Sequence, residues 1–346
     1  MQIGSRQIGY GAPCYVIAEL GVNHQGNVDI ARRMVDAAKT AGADAVKFQL
    51  YYPDKTISKF CPQAEYAQRA GMGGESHKDM TERLMFEDFE YADLAEYCRR
   101  AGIEFLCTGF DEAAIDTLYF IRVRALKIPS GEINNLDYLR HAASYGLPII
   151  LSTGMSDMHE VGFAVVAIES RDNYDIALLH CVSSYPAAPE DCNLRAMETM
   201  RKTFGFPVGF SDHTEGIAIA LEAVALGACI IEKHFTLDKS LPGPDHQVSC
   251  NPDEFATLVE GIRKVEKSLG DGRKRMMESE RNTRDVARKS VVAARDIQEG
   301  ECFTRDNLTV KRPGTGLPPN ELDSLIGQRA RRFIEMDMLI TWEMVA

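Results

Sequence analysis

Short apolar runs and longer amphipathic stretches alternate along most of the chain. Tyr15-Val-Ile-Ala-Glu-Leu20 reads as a buried strand closed by Gly21. Asn27 can cap a helix with Ile30, Met34, Val35 and Ala38 on one face, and Ala41-Gly42 ends it. Ala45-Val-Lys-Phe-Gln49 is the second strand. The alternation then repeats: helix 87–101 before strand 104–108, helix 111–119 before 125–128, helix 135–145 before 148–153, and helix 157–169 before 176–181. Helix 193–203 precedes strand 206–210, and helix 215–226 precedes 229–231. A last helix carries Phe255, Leu258, Ile262, Val265 and Leu269 at helical spacing. Eight strand–helix units in about 270 residues predict a (β/α)8 TIM barrel over residues 1–270. A doubly wound sheet is the second choice, but no glycine-rich nucleotide loop follows the first strand. Segment 50–86 is aromatic, glycine-rich and too long for a plain connector, as functional lids are.

Residues 271–288 are charged and poor in large apolar groups, and read as a linker. Beyond them, 289–346 form a small β-rich domain with strand-like pieces at 290–294, 307–311 and 338–342. The net charge of −12 argues against a nucleic-acid partner, while an anionic substrate would need a locally positive site. No apolar run is long enough for a membrane span, and the N-terminus lacks a signal-peptide core. The nine cysteines show no C-x-x-C pair and lie mostly in apolar runs, which suggests reduced thiols in a cytoplasmic protein.

In a barrel of this kind, reactive side chains sit at the C-terminal ends of strands. Those ends read Glu19; Lys47 and Gln49; Thr108; Lys127 with Ser130 and Glu132; Ser152 and Thr153; Ser183 and Ser184; Ser211, Asp212 and His213; then His234. A lysine in an apolar strand is costly unless it meets an anion. Two lysines with a ring of hydroxyls suit a phosphate or carboxylate. Two imidazoles at neighbouring strand ends suit a divalent transition metal with positions left open. A single strand-end histidine is more often structural than ligating. Two in succession, each beside an acid, shift that balance, whereas His24 and His180 lack such a partner. Glu19 can simply be the counter-ion of Lys47, and Arg312 reads as a solvated charge in a turn. The residues lead to a metal-assisted enzyme acting on a phosphorylated or carboxylated small molecule, with the reaction left open.

Several blocks in fixed order carry a resemblance: AELGVNHQGN at 18–27, AVKFQ at 45–49, KIPSGE at 127–132, PIILSTGM at 148–155, GFSDHT at 209–214, EKHFTLDKSLPGPDH at 232–246 and VKRPGTG at 310–316. Over nearly its whole length the chain resembles the bacterial sialic acid synthases and their legionaminate and pseudaminate relatives. CPQAEY at 61–66 resembles the lid of the sialate and legionaminate branch. The resemblance implies a barrel followed by an antifreeze-like (SAF) domain. It also implies condensation of phosphoenolpyruvate with an N-acetylmannosamine-type sugar, with release of phosphate. A domain-swapped homodimer is implied as well, the small domain of one copy capping the barrel of the other. By position, His213 and His234 would hold a divalent metal, Mn²⁺ with Mg²⁺ or Co²⁺ as alternatives. Lys47, Thr108, Lys127, Ser130, Ser152, Ser183 and Ser211 would bind phosphoenolpyruvate. Gln49, Tyr185 and Asp245 would face the sugar, joined by Arg312 from the partner copy, and Glu19 would be catalytic. Some members have Asn where this chain has Ser183, which leaves that contact open. A metal-dependent pyruvate aldolase and a non-catalytic sugar-binding protein are the competing classes. Within the family, N-acetylneuraminate synthesis is the favoured expectation and legionaminate or pseudaminate synthesis the alternative.

Overall fold

Side chains of a strand point alternately to its two faces, and in a closed barrel one face is the interior. The computed structural model describes residues 1–62 and 76–346. It has eight parallel strands closed into a barrel: β1 (Tyr15–Gly21), β2 (Ala45–Leu50), β3 (Glu104–Gly109), β4 (Leu126–Ile128), β5 (Ile149–Ser152), β6 (Ile176–Cys181), β7 (Val208–Asp212) and β8 (Ile230–His234). Consecutive strands pair, and β8 closes on β1. The helices are α1 (Val28–Thr40), α2 (His77–Leu84), α3 (Asp88–Ala101), α4 (Glu112–Phe120), α5 (Leu136–Ser144), α6 (Met158–Glu169), α7 (Ala196–Phe204), α8 (Ala218–Ala225) and α9 (Pro252–Leu269). The barrel expected from the alternation is therefore the one that forms.

Local chemistry sets the helix limits. Asn27 Oδ1 accepts from the backbone N–H groups of Asp29 and Ile30, which starts α1. Asn251 and Glu254 form a capping box at α9, whose first residue is Pro252. α3 stops at Gly102, whose φ of 74° is left-handed. α8 starts later than the apolar pattern predicts, because Asp212 Oδ1 accepts from both the N–H and the hydroxyl of Thr214. That turn holds 213–217 out of the helix. In α9, Phe255, Leu258 and Ile262 are buried as the spacing requires, but Leu269 at the last position is exposed.

The two faces of the strands carry different cores. Val16, Ala18, Leu20, Val46 and Phe48 point outward into the layer beneath the helices. Ile17, Ala45, Leu106, Ala125, Ile150, Ala177, Leu179 and Ile230 fill the interior. A hairpin that the sequence pattern did not reveal, Gln2–Ile3 with Arg6–Gln7, adds Ile3 and Ile8 to this interior cluster. Two residues further along the strands, the interior positions become Glu19, Lys47, Thr108, Lys127, Ser152 and Glu232, all buried.

The chain divides into two units, Met1–Gly270 and Asp271–Ala346. Within the second, β9 (Ser290–Ala293) pairs antiparallel with β10 (Leu308–Lys311). Val291, Ile297, Phe303, Leu325, Ile334 and Ile340 form its core. Stretch 338–342 is not a strand; it contributes a single bridge, Leu339 to Val292. The stretch read as a linker holds a short exposed helix, α10 (Arg281–Ala287). Segment 50–86 supplies the one-turn helix Pro53–Thr56 and α2. Residues 63–66 of CPQAEY lie outside the described residues. Among the described residues, no helix is long and apolar enough to cross a membrane.

Gly209 lies inside β7, and a Cβ there would come within 2.5 Å of the Ile230 carbonyl oxygen and 2.7 Å of Leu179 Cδ2. Gly209→Ala should therefore destabilise the barrel by about 1–3 kcal/mol through overpacking. Urea unfolding followed by circular dichroism measures this, and an unchanged midpoint would contradict the packing described.

Candidate active site

Register places the polar interior layer. His234 pairs with Glu19, Glu19 with Lys47, Gln49 with Thr108, Thr108 with Lys127, and Glu232 with Ser211. These residues line one cavity of about 420 Å³ at the C-terminal ends of the strands, joined by Ser130, Ser152, Ser183, Tyr185, His213 and Asp245. Thirteen of the fourteen side chains to which the resemblance gives a site role thus meet in one place, whereas Glu132, Thr153, Ser184 and Asp212 of the strand-end list do not line it. The fourteenth, Arg312, belongs to the other unit, where it is exposed and its Nε donates to the Ala287 carbonyl.

Four opposite charges form the cavity floor. Lys47 Nζ lies 2.7 Å from Glu19 Oε2 and 3.7 Å from Glu232 Oε1. It also donates to Thr108 Oγ1 at 2.9 Å. Lys127 Nζ lies 3.9 Å from Glu232 Oε2 and donates to Ser152 Oγ at 2.6 Å. Ser211 donates to Glu232 at 3.0 Å, and Gln49 Nε2 to Glu19 at 2.7 Å. Glu232 was not among the residues singled out for the site. The period-two step from interior Ile230 through Glu232 to His234 is the signal that finds it.

Burial and charge pull these groups in different directions. Burial raises the Glu19 carboxyl, although Lys47 works against it. Burial would also raise Glu232, but Lys127 and Lys47 together hold it below the ordinary carboxylate range. Burial lowers Lys127, and Glu232 compensates only in part. For Lys47 burial works downward too, but Glu19 and Glu232 outweigh it and the ammonium is held above its usual value. Lys127 is thus the cation that most needs a further anion. The described hydroxyls are arranged around that end. Gly154 N–H donates to Ser130 Oγ at 2.9 Å, and a Cβ on Gly154 would sit 2.3 Å from Ser183 Oγ. Only glycine lets those two serines close in together.

The histidines form the opposite side. The His213 and His234 rings lie 5.5 Å apart, with the Tyr185 ring 4.3 Å from that of His213. Burial lowers both histidines, so each is neutral. His213 Nδ1 lies 2.7 Å from the Val182 carbonyl and is the donating nitrogen, so the Nε2 lone pair stays available. His234 Nδ1 is buried without a hydrogen-bond partner among the described residues. Two neutral imidazoles, one oriented by a backbone carbonyl and one with an unused buried nitrogen, fit a divalent metal. The acids adjoining them in sequence do other work. Asp212 pairs with buried Lys233 at 2.8 Å, and Glu232 serves the lysines. His180 bonds the Cys192 carbonyl, and His24 stacks on Phe86.

Asp245 is buried, with Oδ2 3.5 Å from His234 Nδ1. Burial, aided by the Glu19 charge, pushes its carboxyl up to about 7. A folded-state value above the ordinary one stabilises at low pH, and that contribution is lost as pH rises to the folded value. In EDTA-treated protein, wild type should therefore lose stability relative to Asp245→Asn between about pH 4 and pH 7, by up to about 4 kcal/mol. Chemical denaturation across that range tests this; a difference that stays flat with pH would refute it.

Comparison with known proteins gives this geometry a family. The NeuB family matches residues 34–274, and the SAF domain matches 288–346. The chain is 43% identical to the N,N'-diacetyllegionaminic acid synthase of Legionella pneumophila, covering 98% of this chain and 97% of that protein. It is 38% identical to the human N-acetylneuraminate-9-phosphate synthase, covering 98% and 95%. A solved N-acetylneuraminic acid synthetase from Leptospira borgpetersenii superposes with a TM-score of 0.73 at 37% identity, covering 82% of this chain and 94% of that one. With a polar barrel interior, a matching family over most of the barrel and relatives of nearly equal length, the chain belongs to the NeuB family and carries a SAF domain after its barrel.

Proposed function

We propose that this chain is a nonulosonic acid synthase. It joins phosphoenolpyruvate to N-acetylmannosamine, or to a related 2-acetamido or 2,4-diacetamido hexose, adds water and releases phosphate. The observation that carries this is the pairing of a lysine-and-hydroxyl floor with two neutral histidines in one cavity. A floor of that kind suits the phosphate and carboxylate of phosphoenolpyruvate, and Lys127 gains the anion its burial calls for.

The chemistry divides among the chain's own residues. Lys47 and Lys127, with Thr108, Ser130, Ser152, Ser183 and Ser211, hold phosphoenolpyruvate so that its carbon 3 faces the sugar. Gln49, Tyr185 and Asp245 orient the open-chain sugar. The new bond joins carbon 3 to the aldehyde carbon, and positive charge develops at carbon 2. Water adds there while the Glu19 carboxylate steadies that charge and takes a proton. Carbon–oxygen cleavage then releases phosphate, whose charge the two lysines bear. In this proposal His213 and His234 would hold a divalent metal, Mn²⁺ or else Mg²⁺ or Co²⁺, and such an ion would supply Lewis acidity for the attack on the aldehyde. The reaction is of the transferase class, and the abundance of free thiols suits a cytoplasmic setting. We further propose a homodimer in which Arg312 of one copy reaches the sugar held by the other. Its support is an exposed arginine in a turn, which among the described residues is tied to a backbone carbonyl.

Purified protein incubated with phosphoenolpyruvate, Mn²⁺ and N-acetylmannosamine or its 2,4-diacetamido relatives should release phosphate and form a 2-keto acid. EDTA should stop both, and no phosphate with any such sugar would reject the proposal. Glu19→Gln should lower kcat by about 100-fold or more while leaving the phosphoenolpyruvate KM within a few-fold. Arg312→Ala should raise the sugar KM while the barrel stays folded; unchanged kinetics would argue against the swapped cap.

A further inference from the structure

A second hollow, of about 390 Å³, opens at the opposite end of the barrel, where the strands begin. Four arginines line it against two carboxylates, in a chain whose net charge is −12. One of those carboxylates, Asp44, is fully engaged. Its Oδ1 meets Arg6 of the N-terminal hairpin at 2.9 Å. Its Oδ2 meets Arg263 at 3.2 Å and accepts from the Val16 N–H at 2.9 Å. Arg99 is answered by Glu96 on its own helix, α3. Arg124 has a looser partner, with Nη1 3.4 Å from Glu104 Oε2. Among the described residues no carboxylate pairs with Arg122, which is exposed.

A buried donor in this hollow also lacks a partner. Tyr15, the first residue of β1, lines it and is only 1% exposed. Its hydroxyl makes no hydrogen bond among the described residues, although a phenol buried this deeply normally has one. Burial and the charges of Glu104 and Asp44 raise its pKa, so the hydroxyl keeps its proton and can donate. Gly4, in the hairpin turn, lets the hairpin close over the Arg124–Glu104 pair. Its φ is left-handed at 57°, and a Cβ there would come within 2.6 Å of Arg124 Nη1 and 2.9 Å of Glu104 Oε2. Two guanidinium forks and a phenol offer more donors than the two oxygens of a carboxylate use, and they match the three terminal oxygens of a phosphate monoester. Glu104, whose carboxyl is raised by burial, is then left to accept from a hydroxyl on the organic part. A hollow of this volume is large enough for one small molecule.

We infer that this hollow is a second ligand site, separate from the lysine floor, that binds the phosphate monoester of a small hydroxylated molecule, with Arg122, Arg124 and Tyr15 on the phosphate and Glu104 on a hydroxyl. Ile3 and Arg6 of the hairpin line the same hollow, so the ligand also ties residues 1–8 to the strands. The test is calorimetric titration of the full chain at low salt with three probes: glucose 6-phosphate, inorganic phosphate and glucose. Glucose 6-phosphate should bind best, inorganic phosphate more weakly, and glucose not at all. Arg122→Asn should weaken glucose 6-phosphate binding by at least about tenfold, and Tyr15→Phe by about 2- to 10-fold. Asparagine tolerates the left-handed φ of 64° at position 122, and phenylalanine keeps the ring of Tyr15, so both variants should retain the circular dichroism of wild type. Hydrogen exchange of residues 1–8 should slow with glucose 6-phosphate in wild type and not in Arg122→Asn. Binding that is undiminished in Arg122→Asn would overturn the inference and send the phosphate to the lysine floor instead. Absence of heat from both phosphate probes would overturn it as well. So would equal affinity for inorganic phosphate and glucose 6-phosphate, which would leave the hydroxylated part unrecognised.

Discussion

Two lysines and two glutamates share the interior of the barrel, and the organisation of the site depends on keeping those four charges in balance. Removing a charge from water costs several kcal/mol, and a buried pair recovers this only with good geometry and further hydrogen bonds. Here each charge has such support: Thr108 for Lys47, Ser152 for Lys127, Gln49 for Glu19 and Ser211 for Glu232. The compensation is uneven. Glu19 is 2.7 Å from Lys47, whereas Glu232 stands 3.9 Å from Lys127. The less compensated lysine is the one that a bound anion would satisfy, so the same imbalance that weakens the floor favours an anion there.

The barrel makes this arrangement rigid. Each polar interior residue stands two positions beyond an apolar one: Glu19 beyond Ile17, Lys47 beyond Ala45, Lys127 beyond Ala125, Glu232 beyond Ile230. A polar layer resting on a packed apolar layer has few ways to relax, because interiors are close-packed. Clearance is also controlled at single positions. Gly21 has a left-handed φ of 49°, and a Cβ there would stand 3.1 Å from Glu19 and 3.5 Å from Asp245. The backbone can approach the two carboxylates because that position carries no side chain. Outside this rigid ring, α2 comes from a connecting segment rather than from a strand end.

Much of this was legible from the chain alone. Alternating apolar runs and amphipathic stretches specify eight strand–helix units because strands and helices impose different periods on a sequence, and short connections make consecutive strands neighbours. The strand-end positions followed, and with them eleven residues that do line the cavity; Tyr185 and Asp245, which also line it, came from the family resemblance. Glu232 escaped because it reads as one more acid in Glu-Lys-His. Only the interior or exterior sense of β8, set by which face Ile230 takes, shows that it belongs with the lysines rather than with His234. The N-terminal hairpin escaped because two-residue strands carry no periodic signal.

What the sequence determined by itself was the kind of element at each place and the supply of charges, hydroxyls and imidazoles at the strand ends. Those follow from local propensity and period, which act over a few residues. The tertiary structure decided which acid answers which base: Asp212 turned to Lys233, Glu19 to Lys47 and Glu232 to both floor lysines. It also decided that Met80, Leu84 and His77 border the cavity. Such pairings join residues far apart in the chain, and their energies depend on burial and on separations of a few ångströms. Register, closure and packing fix those quantities, and no local pattern encodes them.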